Sequence, residues 1–114
     1  MVIININIEG VGSSKTELKK GTYSGGELAL RLIDTEDNTP FATLTVNLPD
    51  YKYMLKEGEF FIKTWSENAS LTKALRESDK IFINTGRKVT IGMNVTAEIW
   101  KFADPEILDR IPTL

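Results

Sequence analysis

The chain has 114 residues, enough for one domain whose core needs no covalent staples. It contains no cysteine and no histidine. Disulfide frameworks, zinc–thiolate sites and thiol catalysis are excluded, and the commonest general base, transition-metal ligand and pH switch are missing. Carboxylate-only chemistry with magnesium or on glycosides stays open.

Fourteen basic and 16 acidic residues leave a net charge of −2. The basic residues are scattered, with Lys19-Lys20 and Arg87-Lys88 the only adjacent pairs, so no basic stripe of the kind that drives phosphate binding is legible. Nor is the chain acidic enough to imitate DNA.

Residues 2–9 alternate, with Val2, Ile4, Ile6 and Ile8 against Ile3, Asn5, Asn7 and Glu9, which predicts a strand. The same stretch lacks the basic start of a signal peptide, and no apolar run approaches membrane-spanning length. The expectation is a cytoplasmic protein with no membrane contact. Residues 10–25 are rich in Gly, Ser and Lys and read as a loop. The word GVGSSKT over residues 10–16 approaches a phosphate-binding loop, but Ser14 and Glu9 occupy the positions where that motif requires glycine.

Residues 26–49 carry the clearest pattern. Leu28, Leu30 and Leu32 point one way, and Glu27, Ala29 and Arg31 the other. After a turn, Ala42, Leu44, Val46 and Leu48 oppose Thr43, Thr45 and Asn47. This is an antiparallel hairpin with one wet face. Its turn is dense in Asp, Thr and Asn and contains Pro40. Asp34, Glu36 and Asp37 are there either as turn formers or as oxygen ligands for a cation, and the turn reading is preferred.

Residues 50–58 predict a single helical turn ending at Gly58, and 59–65 (EFFIKTW) a strand. Helical spacing of Leu71, Ala74 and Leu75 predicts the main helix over about 69–79, with Ser66, Asn68 or Ser70 as N-cap. Residues 80–84 read as a short strand, 85–87 as a turn, and 89–102 as the longest strand. Trp100 and Phe102 fall on its nominally polar face, so either a bulge turns them inward or that end is covered. Asp104-Pro105 opens a short C-terminal helix.

The predicted fold is a single α+β domain over 1–114, with an antiparallel sheet of five or six strands, one main helix and a short C-terminal one. Its predicted core is Ile4, Ile6, Leu28, Leu30, Leu32, Leu44, Val46, Ile62, Leu71, Leu75, Ile83, Ile91, Val95 and Ile99.

The candidate contact patch is Lys63, Trp65, Glu67 and Asn68 at the strand–helix junction, with Arg87 from the neighbouring turn. Trp and Arg are the residue types most enriched in binding hot spots. The competing reading packs Trp65 under the helix while Ser66 and Asn68 cap it. A second candidate surface is the polar sheet face at Thr43, Thr45, Asn94 and Thr96.

Tyr23-Ser24, Leu28-Ala29 and Leu32-Ile33-Asp34, with the words PFATLTVNLP over residues 40–49, FIKTWSEN over 61–68 and TGR over 85–87, carry a resemblance. Across about residues 22–102 the chain resembles an uncharacterised family of small proteins from plasmids, conjugative elements and phages of Gram-positive bacteria. The resemblance implies a mobile-element origin and supplies no catalytic residue. With it, the functional expectation is a non-enzymatic protein without cofactor or metal. It would bind a host protein stoichiometrically, such as a CRISPR nuclease or another defence component. The alternatives left open are an accessory protein that binds nucleic acid or a small nucleotide on its polar sheet face, a carboxylate-based enzyme, and self-association as a homodimer.

Overall fold

The computed structural model describes every residue except Glu9, Ser66, Glu67, Ser78, Asp79, Lys80 and Asn94, and describes Glu77 without its side chain. Four strands, β1 (Ile3–Ile8), β2 (Gly12–Thr22), β3 (Leu28–Asp34) and β4 (Pro40–Thr43), form an antiparallel sheet in chain order. Its inner face carries Ile4, Ile6, Leu18, Leu30 and Leu32, all buried.

The stretch expected as a loop thus contains β2, which lies centrally between β1 and β3. Its pattern was masked because polar groups fill inward positions. Thr16 is fully buried and donates its hydroxyl to the Ile4 carbonyl at 2.7 Å. Lys20, opposite Leu30, sends its ammonium to the Leu108 carbonyl at 2.9 Å. Only Leu18 announces the inner face, and a single apolar residue makes no period.

A 3-10 helix (Pro49–Met54) leads to β5 (Glu59–Ile62), which forms a second antiparallel sheet with β6 (Phe82–Gly92) and β7 (Val95–Phe102), in the order β5-β7-β6. The helix α1 (Asn68–Glu77) lies between β5 and β6 in the chain. After β7 comes α2 (Pro105–Arg110), where the Asp104 side chain accepts from the Glu106 N–H at 3.0 Å. The fold is therefore α+β with antiparallel sheets and few helices, but the expected single sheet of five or six strands is replaced by sheets of four and three.

Residues 44–46 join the two sheets. Leu44 donates its N–H to Leu30 at 2.9 Å, and Val46 donates to Phe61 at 3.2 Å. Between them Thr45 bridges to Ile62. Thr45, expected on the wet face, is buried because its hydroxyl accepts the Leu30 N–H at 3.1 Å and meets the Tyr23 hydroxyl at 2.9 Å.

The long strand expected over 89–102 is a hairpin. Val89 pairs with Ala97 and Thr90 with Thr96, residues an even number of positions apart. Alternation therefore runs unbroken across the turn and conceals it. Conversely, the expected turn at 85–87 lies within β6 as an irregularity. Gly86 adopts φ +85°, and its N–H is received by the Asn84 side chain at 2.9 Å.

The main core draws on both sheets and α1: Ile4, Ile6, Leu18, Leu30, Leu32 and Leu44 meet Phe60, Ile62, Trp100 and Phe102, with Leu71, Ala74 and Leu75 from the helix. On the far side of the second sheet, Phe61, Val89, Ala97 and Ile99 form another cluster under Tyr51, Met54 and Leu55. Trp100 and Phe102 are buried because that face is covered. Of the expected core, Leu28, Val46, Ile91 and Val95 are half-buried, and Ile83 is exposed. Among the described residues no helix is long and apolar enough to cross a membrane.

Candidate functional site

The residues of the expected contact patch are placed differently from one another. Trp65 is half-buried and packs on the second cluster, with Phe61 and Ile91, while α1 contributes to the main core, so Trp65 is not under the helix. Asn68 is buried, and its amide donates to the Thr43 carbonyl at 2.7 Å, tying the start of α1 to the end of β4. Lys63 follows β5, half-exposed, with its N–H donating to Leu44 at 2.9 Å. Glu67 lies outside the described residues.

Arg87 is committed to the fold. Its guanidinium donates to the Met54 carbonyl at 2.6 Å and forms an ion pair with Glu59, fastening the 3-10 helix over the second sheet. Burial alone would raise the Glu59 carboxyl. Hydrogen bonds from Arg87 and from the Lys56 N–H at 2.8 Å, with the nearby positive charge, hold it below its ordinary range instead.

The acidic turn is likewise occupied by its own backbone. Asp34 accepts from the Glu36 N–H at 2.9 Å, and Asp37 accepts from the Thr39 N–H at 3.2 Å and hydroxyl at 2.6 Å. These bonds from Thr39 lower the Asp37 carboxyl. Among the described residues no group of three or more carboxylates is arranged to hold a metal ion. The phosphate-loop word is absorbed into the β1–β2 turn and β2, with Thr16 buried.

Of the second candidate surface, Thr43 is exposed, Thr96 is half-exposed beside Thr90, Thr45 is buried and Asn94 is outside the described residues. What the fold does assemble is the outer face of the first sheet. Period-two geometry puts Asn5, Lys15, Glu17, Lys19, Arg31 and Thr43 together there. Lys19 stands directly opposite Arg31, and Arg31 opposite Thr43. Directly opposed side chains in an antiparallel pair have Cβ atoms roughly 4.5–5.5 Å apart. Lys15 occupies the same face of β2 and faces Asn5.

Among the described residues of β1–β4 the carboxylate on this face is Glu17, 3.3 Å from the Lys19 ammonium. Among the described residues neither Lys15 nor Arg31 forms an ion pair. The chain is net acidic, yet this face is net basic. The linear sequence hid the grouping because its members come from two strands at spacings that only the register aligns.

Comparison with protein-family models, with curated proteins and with solved structures finds no match. The resemblance to mobile-element proteins therefore rests on the sequence words alone.

Proposed function

We propose that the protein works by stoichiometric binding, that its contact surface is the outer face of the first sheet, and that its partner presents negative charge. The observation that carries this reading is Lys19 set directly opposite Arg31, with Lys15 farther along the same face of β2, on a chain of net charge −2. Like charges facing each other across a strand pair are destabilising. An anionic partner removes that penalty and gains charge-assisted hydrogen bonds.

The partner is taken to be a protein. The resemblance to plasmid and phage products makes a host defence component, such as a CRISPR nuclease, the first class to test. The half-buried Ile3 and Ile33 flank Glu17 on this face and add apolar contact beside the cations. A second reading, nucleic acid on the same face, is favoured by the cations lying among Asn5, Asn7 and Thr43.

The test uses the whole protein and a K19E/R31E variant. Each is used to capture partners from a bacterial lysate and is titrated with single-stranded oligonucleotides at low and physiological salt. Capture of one protein at one-to-one stoichiometry by the wild type alone supports the proposal. Oligonucleotide binding that weakens steeply with salt and is lost in the variant supports the second reading. Equal binding by both proteins excludes this face.

A further inference from the structure

A depression of about 310 Å³ is lined by Glu27, Leu28, Lys52, Leu55, Glu57 and Leu108 among others. In its wall lies an unusual group. The Glu27 side chain is only 6 % exposed, and both carboxylate oxygens are buried with no hydrogen bond from any of the described residues. A buried carboxylate in this state lacks the donors that normally offset its desolvation. Among the described residues its ion-pair partner is the Lys52 ammonium, 3.5 Å from Oε1. That ammonium also donates to the Gly25 carbonyl, and the Lys52 side chain is exposed. By contrast, Glu59 in the same wall already receives donors from Arg87 and Lys56.

We propose that this depression is a binding site for an alkylguanidinium group, with Glu27 as the anion that receives it and Lys52 as the built-in competitor that covers it. Two carboxylate oxygens that lack donors match the planar fork of a guanidinium, which supplies two parallel N–H donors. A single ammonium near one of the two oxygens and shared with the Gly25 carbonyl does not engage both. The aliphatic walls supplied by Leu28, Leu55 and Leu108 suit a methylene stem. The same chemistry occurs in a free small molecule and in an arginine side chain of a protein.

Gly25, within the turn that leads into β3, offers a clean control. A Cβ added at Gly25 would come within 2.6 Å of Glu27 Oε1 and 2.7 Å of Oε2. Gly25 is not in the left-handed region, so Gly25→Ala displaces the flexible end of a side chain and leaves the backbone unstrained. The probes are Nα-acetyl-arginine methylamide, agmatine and Nα-acetyl-lysine methylamide, titrated into the whole protein with amide shifts of residues 25–28 and 52–58 as the readout.

Saturable shifts with the arginine probe are expected in the wild type, tightened about tenfold in K52A, where one charged competitor is removed. They should be lost in both E27Q and G25A, with the lysine probe weaker throughout. Preference for the capped arginine over agmatine identifies a protein side chain as the source, and the reverse identifies a free small molecule. Absence of saturable shifts in K52A, or equal binding by K52A and K52A/G25A, overturns the proposal. K52A and G25A keep it falsifiable should E27Q fail to fold.

Discussion

In the first sheet Leu30 and Leu32 are fully covered while Arg31, between them, stands in solvent. In the second sheet Phe60, Phe61 and Ile62 are consecutive and all buried. One sheet separates a core from water; the other is itself sandwiched between two apolar clusters. The difference decides where function can be built. A face that must be apolar for packing has little freedom to carry charge, so Lys15, Lys19 and Arg31 of the first sheet gather on its wet side, and Lys20, which points inward, is tied to the Leu108 carbonyl. The charged groups of the second sheet are instead drawn into ties such as Arg87 to Glu59 and Arg76 to Glu98, the latter beside the Trp100 ring.

The largest effects should come from testing whether the second sheet is buried on both sides. Phe60→Ala and Phe61→Ala remove adjacent residues that point to opposite faces, and each should cost about 3–5 kcal/mol. In the first sheet the equivalent neighbours should diverge. Leu32→Ala should cost about 2–5 kcal/mol, and Arg31→Ala should change stability by no more than about 0.5 kcal/mol. Urea midpoints give all four values. A near-neutral Phe61→Ala would mean that the second sheet has a wet face after all.

The same contrast explains what the sequence disclosed. The alternation of Leu28, Leu30 and Leu32 against Arg31 is legible because one face is wet, and it located β3, but the partner run it predicted through Leu48 ends as β4 at Thr43, after which residues 44–46 cross to the second sheet. Residues 59–62 gave a strand by composition, but two covered faces leave no period to say which side is which. Trp100 and Phe102 were assigned to a polar face for the same reason. β2 escaped because Thr16 and Lys20 point inward and satisfy carbonyls through their own side chains. Of the functional surface, Lys19 and Arg31 were visible as residues, but their juxtaposition needed the β2–β3 register. The isolation of Glu27 needed the fold of residues 49–56 across it.

A sharper test of the second sheet is its ion pair. Glu59 is 5 % exposed in its side chain and Arg87 is 35 % exposed. Removing Arg87 strands a buried carboxylate but leaves the Lys56 N–H, and solvent screening around Arg87 discounts the full cost of a broken buried pair. Arg87→Ala should therefore destabilise by about 1–3 kcal/mol. The pH dependence follows from the lowered Glu59 carboxyl. Its contribution is present above the ordinary value of 4.5 and is lost as pH falls below it through the folded-state value, where the unfolded chain binds the extra proton. Glu59→Gln should flatten thermal stability in that acidic window. An unchanged acid slope would show that the pair contributes nothing to the fold.

At the junction of the sheets, Thr45→Val keeps shape but leaves the buried Leu30 N–H without its acceptor. The expected cost is about 1–3 kcal/mol. Thr43→Val, one pair away and exposed, should stay within about 0.5 kcal/mol. Equal effects would mean that residues 44–46 do not cross between the sheets as described.

The smallest expected change in stability has the largest consequence for function. Arg31→Glu replaces a like-charge pair with an opposite-charge pair, because Arg31 lies directly across from Lys19. Cross-strand charge pairs are worth roughly 0.2–1 kcal/mol, so the variant should be as stable as the wild type or slightly more so, most visibly at low salt. A residue selected only for folding would not be improved so easily. If the outer face of the first sheet is the contact surface, the same substitution should abolish partner capture. Stability and binding should therefore move in opposite directions at this one position. Loss of both would make Arg31 a structural residue, and retention of binding would move the contact surface off the first sheet.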